Sequence, residues 1–518
     1  MGEFMNWFAK LFKILFSRTA VCIIGILFQL AYLMSVFWTL GTYYTYSYLI
    51  FEIIGILLTI YIISSEMNPS YKIAWIIPIL VFPVFGVMFF LFFGNSGSKN
   101  RLFLRMSEFN EEERRLLPQN RELLDSIYAD SPVIGKQASY LFDYGGYPVY
   151  TNTEVFYFPL GEDKFGVLAE ELRKAEKFIF LEYFIIREGI MWNTILDILE
   201  KKASAGVDVR VIYDDMGCLM TLPFNYCEKL EEKGIKCKAF NKFRPIWSSK
   251  MNNRDHRKIV VIDGHTAFNG GINLADEYIN ERERYGHWKD SAVMLKGEAV
   301  RSFTVMFLTM WNYLSDIKHD CCDGFLTQNE DISCRKGGFV IPFTDSPSDS
   351  EPVGENVYLN IINNAEKYVY ITTPYLIIDN EMTSALTLAA KSGIDVRIIT
   401  PHIPDKWYVH AVTKANYKKL VRQGVRIFEY TPGFIHAKNF VSDDSMAVVG
   451  TINLDFRSLY LHFECATWLY KAECIPHIKE DFLDTLEKCR EITVNDCLSV
   501  NIFTRIGRTL LRLFAPMM

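Results

Sequence analysis

NNRDHRKIVVIDG occupies residues 252–264, and TPGFIHAKNFVSDD occupies residues 431–444. Each places a His two residues before a Lys and an Asp five residues after that Lys: His256, Lys258, Asp263, then His436, Lys438, Asp443. The copies lie 180 residues apart. A lone His-x-Lys arises by chance in many chains, but a repeated one with further shared spacing does not. Each copy is followed by a short glycine segment, GGIN (270–273) or GTIN (450–453).

Self-comparison extends the match upstream. AEKFIFLEYFI (175–185) resembles AEKYVYITTPYLI (365–377), and AGVDVRVIYDD (205–215) resembles SGIDVRIITPH (392–402). The order in both halves is apolar run, helical stretch, apolar run. FIFLEYFII and VDVRVIY read as buried strands, and WNTILDILEKKASAG between them has helical periodicity with a Gly stop. Alternating strands and helices predict an α/β sandwich with a largely parallel sheet in each half. Two such halves packed about a pseudo-twofold axis bring both His-Lys strands to one cleft.

Residues i and i+2 of a strand share a face, so each His and its Lys point the same way. Facing pairs suit a phosphodiester. The lysines, with Asn273 and Asn453, can hold non-bridging oxygens. One His can attack phosphorus while the other carries the proton. This chemistry requires no metal and no cofactor, and no acidic metal cluster is visible. Asp263-Gly264 and Asp443-Asp444 carry hairpin-turn signals, so these aspartates divide between a structural and a chemical role, with weight on the structural. Asp290, 34 residues past His256, and Glu464, 28 past His436, are the carboxylates that could orient the imidazoles. His287, His402, His410 and His462 read as structural or peripheral.

The remainder of the chain speaks of membranes. It has 518 residues, half of them apolar, and a net charge of −6, which argues against a general nucleic-acid binder. Its eleven cysteines show no CxxC and read as reduced thiols; the adjacent Cys321 and Cys322 have no explanation in the pattern. MGEF (1–4) reads as an expression remnant before Met5. Residues 5–100 form an anchor region with two or three hydrophobic segments: 20–40, 48–65 and 73–94. The third is interrupted by Pro78, Pro83 and Gly86. Positive-inside reasoning puts both charged flanks in the cytoplasm, which makes the third segment a re-entrant hairpin or an interfacial one. Residues 101–150 read as a linker, 151–335 and 336–498 as the two catalytic halves, and 499–518 as a basic amphipathic helix suited to an anionic membrane surface.

The doubled HxKx4D followed by GxxN resembles the phospholipase D superfamily. With FLEYFIIREG, RVIYDDMG, TPYLIIDNEM, GTINLDFRS and MNPSYKIAWIIPILVFPVFG, the chain is more narrowly similar to bacterial cardiolipin synthases of the phospholipase D type, from about Met67 onward. That family's usual GSxN is GGIN and GTIN here: Gly271 cannot donate a hydroxyl hydrogen bond, and Thr451 can. The resemblance implies two α/β halves behind a transmembrane anchor, in the bacterial plasma membrane with cytoplasmic catalytic halves. It implies phosphatidyl transfer from one phosphatidylglycerol to another, giving cardiolipin and glycerol. It further implies His256 as nucleophile, His436 as acid/base, and crossed support, Glu464 for His256 and Asp290 for His436. Homo-oligomerisation stays open. Competing readings are a hydrolytic phospholipase D, transfer to another lipid or alcohol, and a lipid-binding scaffold, for which two His-Lys pairs would be superfluous.

Overall fold

The computed structural model describes residues 44–94, 114–242, 252–315, 324–326, 338–348 and 351–517, with isolated positions 31, 34, 35, 106 and 109. The first half contributes β1 (Thr153–Phe158), β2 (Phe178–Tyr183), β3 (Asp208–Asp214), β4 (Lys236–Phe240), β5 (Lys258–Ile262), β6 (Thr266–Gly270), β7 (His287–Lys289) and β8 (Ala292–Gly297). The second contributes β9 (Phe339–Asp345), β10 (Tyr368–Thr372), β11 (Asp395–Pro401), β12 (Arg426–Tyr430), β13 (Gly433–Ile435), β14 (Asn439–Ser442), β15 (Met446–Gly450), β16 (Glu464–Tyr470) and β17 (Cys489–Ile492). One sheet runs β1-β8-β6-β5-β2-β3-β4. The other runs β9-β16-β15-β14-β10-β11-β12, with β17 added at the far edge. The shared order is the structural counterpart of the sequence duplication.

The expectation of a largely parallel sheet is corrected. Within the two large sheets, only β2-β3-β4 and β10-β11-β12 are parallel. Those are the strands joined through crossover helices such as Ile190–Ser204 and Asn380–Lys391. β5-β6 and β14-β15 are joined by short turns, which force antiparallel pairing, and others, such as β1-β8 and β9-β16, bring together strands distant in sequence. Each crossover helix ends on a left-handed glycine, Gly206 (φ +93°) or Gly393 (φ +94°), which turns the chain into the next parallel strand.

One hydrophobic core joins the two halves. It contains Val261 and Leu295 of the first sheet, Ile341 and Val448 of the second, and Phe303 and Phe307 of the almost wholly buried helix Val300–Ser315. The linker assignment for 101–150 is also corrected. Helices Arg121–Asp130 and Pro132–Asp143 pack Ile127, Ala138 and Leu141 into that core, and Gln137 accepts a hydrogen bond from the Trp468 indole at 3.1 Å. Their apolar spacing is helical, and burial follows from it.

Of the hydrophobic segments, nearly all of 20–40 lies outside the described residues. The second forms the helix Tyr44–Ser64, with side chains described from Leu49 on. The third breaks at Phe82 into helices Pro69–Val81 and Pro83–Phe93. They fold back on one another because Gly86 has no side chain: a Cβ there would lie 2.3 Å from the Pro78 carbonyl. Among the described residues, no helix is long and apolar enough to cross a membrane.

Candidate active site

His256 lies two residues before the start of β5, and its backbone N–H donates to Phe463 O of the opposite half at 2.9 Å. His436 follows β13, which pairs in parallel with β7 of the first half, and its N–H donates to Lys289 O at 2.7 Å. The two halves are stitched together at the histidines themselves. Lys258 and Lys438 each turn their amine back to the carbonyl of the preceding His, Lys258 Nζ to His256 O at 2.6 Å and Lys438 Nζ to His436 O likewise. All four side chains are buried.

The carboxylates are crossed. His256 Nδ1 lies 2.9 Å from both oxygens of Glu464, at the start of β16. His436 Nδ1 lies 2.7 Å from Asp290 Oδ2, just before β8. Each imidazole is thus held through Nδ1 by the other half, which leaves Nε2 as the reactive nitrogen. Gly271 and Thr451 occupy matching positions and act oppositely. A Cβ on Gly271 would fall 2.1 Å from Asp290 Oδ1, so its absence makes room for the shorter carboxylate. The Thr451 hydroxyl donates to Glu464 Oε2.

Asn273 and Asn453 are turned to the scaffold. Asn273 accepts from Ile185 N at 3.0 Å and donates to Tyr278 OH at 2.8 Å, while Asn453 donates to Ser458 Oγ at 3.0 Å. Asp263 and Asp443, grouped above with the candidate catalytic residues but weighted toward a structural role, lie apart from the two His-Lys pairs. They sit at the far end of their strands, Asp263 roughly 16 Å of extended chain beyond Lys258. Asp263 has φ +52° and accepts from the backbone N–H of Glu176, Lys177 and Phe178 at 2.7, 2.7 and 2.8 Å. Asp443 (φ +53°) does the same for Glu366, Lys367 and Tyr368 at 2.8, 2.9 and 3.0 Å. Each ties its hairpin turn to the start of the neighbouring strand. Asp263→Ala is expected to destabilise the fold by about 3 kcal/mol, because three backbone donors, one of them buried, lose a charged acceptor. The check is a denaturant titration together with specific activity; folded protein with specific activity cut by orders of magnitude would contradict this role.

Sequence reading missed several neighbours. His462, expected to be peripheral, stands beside His256 with ring centroids 5.7 Å apart. Trp288 stands beside His436 at 5.5 Å, and Phe184 packs its edge on His256 at 5.0 Å. Behind them lies a buried charge cluster: Arg257 with Glu182 at 2.5 Å and with Asp255 at 3.3 Å, and Arg254 with Asp214 at 3.5 Å. The signal for it was the unbroken charged run 254–258 at the start of a buried strand. His256, His462 and Glu464 also bring three potential metal-ligand atoms within 4.8 Å, a grouping the sequence reading did not foresee. The charge of Lys258 and Lys438 there favours an anion over a cation.

Burial sets the protonation states. It lowers His256 well below the usual imidazole range and His436 to about 4, with the adjacent lysines adding to the shift. It lowers Lys258 to about 8 and Lys438 to about 7, and a bound phosphate would push both back up. Burial also raises Glu464. For Asp290 burial is outweighed by the charges of His436 and Lys438, and the carboxyl is held below its ordinary value. For His436 the unfolded value is 6.5 and the folded value about 4. Between these the unfolded chain binds more protons, so stability is full above 6.5 and falls as pH drops toward 4, by about 3 kcal/mol. Thermal unfolding midpoints from pH 7 to 4 should show this slope. His436→Gln should make it shallower, and an unchanged slope would refute the assignment.

A family profile described as "Cardiolipin synthase, PLD-like domain" matches residues 168–311 and 358–486, covering both His-Lys strands. The chain belongs to the bacterial cardiolipin synthases of the phospholipase D superfamily. A second profile, "Phospholipase_D-nuclease N-terminal", matches 53–95. A cardiolipin synthase of Alkalihalophilus pseudofirmus is 31% identical over 93% of this chain and 95% of its own length. One from Oceanobacillus iheyensis is 33% identical over 90% and 98%. An uncharacterized protein of Streptococcus mutans is 48% identical over 89% and 99%. Among solved structures, phosphatidylserine synthase of Haemophilus influenzae superimposes with a TM-score of 0.54 at 15% identity, over 70% of this chain and 93% of that one, a likeness of fold. As a member of this family the chain is a phosphatidyltransferase.

Proposed function

We propose that the chain joins two phosphatidylglycerol molecules into cardiolipin and glycerol through a phosphatidyl-histidine on His256. The observation that carries this reading is the pair of imidazoles held through Nδ1 by carboxylates of the opposite half, each with a buried lysine. His256 Nε2 attacks phosphorus as the bond to the glycerol oxygen breaks, and His436, which takes up a proton as the anionic phosphate enters beside it, gives that oxygen its proton. A hydroxyl of the second phosphatidylglycerol then attacks phosphorus, the phosphorus–nitrogen bond breaks, and His436 takes the hydroxyl proton. Lys258 and Lys438 offset charge on the non-bridging oxygens.

The electrostatic asymmetry supports these roles. Asp290 is ionised, and a fixed negative charge favours the imidazolium that His436 must form. Glu464 is pushed toward its neutral form, which leaves His256 uncharged and able to attack.

The surfaces support work at a bilayer. Helix Pro69–Val81 is joined to the second half through Asn68, whose amide donates to Asp379 at 3.2 Å and to Tyr460 at 3.0 Å. Tyr71 packs edge-on against Phe456. The C-terminal helix Ile502–Leu513 docks nearby through Leu511 and presents Ile502, Phe503, Ile506 and Leu510 outward, with Phe503 82% exposed. Arg505, Arg508 and Arg512 lie on the same helix, which suits an anionic membrane surface. In this reading the chain is bound to the plasma membrane, its catalytic halves on the cytoplasmic side.

The test is a product assay in vesicles containing phosphatidylglycerol alone. Cardiolipin and glycerol in equal amounts are expected. Phosphatidic acid in place of cardiolipin would mean that water takes the phosphatidyl group and would overturn the transferase reading.

A further inference from the structure

A phosphatidyl-enzyme must choose an alcohol over water, and the groups placed so far handle only phosphate and protons. His462 is a further group at the same cleft. It lies two residues before Glu464, between the short helix Phe456–Tyr460 and β16. Its ring is 5.7 Å from that of His256, and its Nδ1 is 3.8 Å from Glu464 Oε1, too far for a good hydrogen bond. The side chain is 11% exposed, and neither ring nitrogen has a hydrogen-bond partner. Buried polar groups are normally satisfied, so an imidazole with both nitrogens unused beside the nucleophile calls for a ligand.

The matching position in the first half sharpens the point. Trp288, two residues before Asp290, stands 5.5 Å from His436 and also has an unpartnered ring nitrogen. An indole only donates, and it is enclosed by Tyr278 and Phe434. Burial, with the positive charges of Arg457 and Lys258, keeps His462 neutral. A neutral imidazole offers one donor and one acceptor, the complement of a hydroxyl group. The lysines, which are donors only, cannot take a hydroxyl proton into a hydrogen bond. The same positive charges disfavour a metal ion held by His256, His462 and Glu464.

We propose that His462 binds a hydroxyl of the glycerol headgroup on the acceptor lipid and so selects a polyol over water at the phosphatidyl-His256 stage. This rests on the transfer reading above. The His462 ring lies 5.7 Å from the ring that carries the phosphatidyl group in that reading.

The experiment compares the full-length chain with His462→Leu and His462→Gln in phosphatidylglycerol vesicles. It reads glycerol release, cardiolipin and phosphatidic acid in one reaction. His462→Leu is expected to lower the ratio of cardiolipin to phosphatidic acid by about 10- to 100-fold, because a site that hydrogen-bonds a hydroxyl discriminates strongly through it. Glycerol release can fall in the same variant, because the donor's glycerol leaves from the position that the acceptor's hydroxyl later fills, so the product ratio and not the rate is the readout. His462→Gln, which keeps a donor and an acceptor, should recover most of the ratio; should the leucine variant not fold, His462→Phe, which keeps a ring and removes both nitrogens, carries the test. An unchanged ratio in folded His462→Leu or His462→Phe overturns the proposal. So does zinc inhibition that is lost on substitution while the ratio holds, which would assign His462 to a cation. A wild-type chain that forms no cardiolipin would instead sink the transfer reading itself.

Discussion

His256→Ala is expected to reduce phosphatidyl transfer by at least about 10⁴-fold, because no other side chain can form the covalent intermediate. His436→Ala should lose a similar factor on phosphatidylglycerol for a different reason: the glycerol oxygen then leaves unprotonated. A phosphatidyl donor with a p-nitrophenolate leaving group separates the two. That group departs without a proton, so His436→Ala should release about one equivalent in a burst and then stall, while His256→Ala should release none. A burst from His256→Ala and none from His436→Ala would exchange the roles.

The second large effect comes from adding one methyl group. In Gly271→Ala the new Cβ would sit 2.1 Å from Asp290 Oδ1. That carboxylate cannot step aside freely, since Oδ1 also accepts from Ser291 N at 2.8 Å and Oδ2 is on His436. The expected result is a loss of about 10²- to 10³-fold in turnover, matched by Asp290→Asn, from misorientation of the acid/base imidazole. Gly271 does not have a left-handed backbone, so the stability cost, about 1–3 kcal/mol, comes from the overpacking alone. Near-normal activity in Gly271→Ala would show that the Asp290–His436 contact is dispensable. Thr451→Gly gives the companion measurement on the other side, where the hydroxyl on Glu464 is lost without a clash.

The duplication made the fold legible. Paired apolar runs and paired glycine stops fall on β2-β3 and β10-β11, whose residues are buried on both faces as continuous apolar strands must be. The antiparallel strands escaped because alternation of strand and helix was extended to the whole sheet, although no helix separates β5 from β6. Period two assumed a strand running through each His-Lys pair, whereas His256, His436 and Lys438 lie just outside β5, β13 and β14. The Asp-Gly and Asp-Asp steps correctly signalled turns, but the three backbone donors gathered by each aspartate belong to strands more than 70 residues away. His462 was passed over for the same reason. Its local sequence, LYLHFEC, says only that it precedes a strand; its place beside His256 is made by a residue 206 positions upstream.

The stitching of the two halves also has a meaning in time. His256 and the carboxylate that orients it are 208 residues apart. At roughly 10 residues per second, a ribosome delivers Glu464 about 20 s after the histidine. During that interval the emerging chain already carries its hydrophobic N-terminal segments, yet its first imidazole has no partner for Nδ1. A truncated or stalled product therefore has the proposed nucleophile unaligned and the proposed acid/base absent. Splitting each imidazole–carboxylate pair between the halves leaves an unfinished chain without an assembled site.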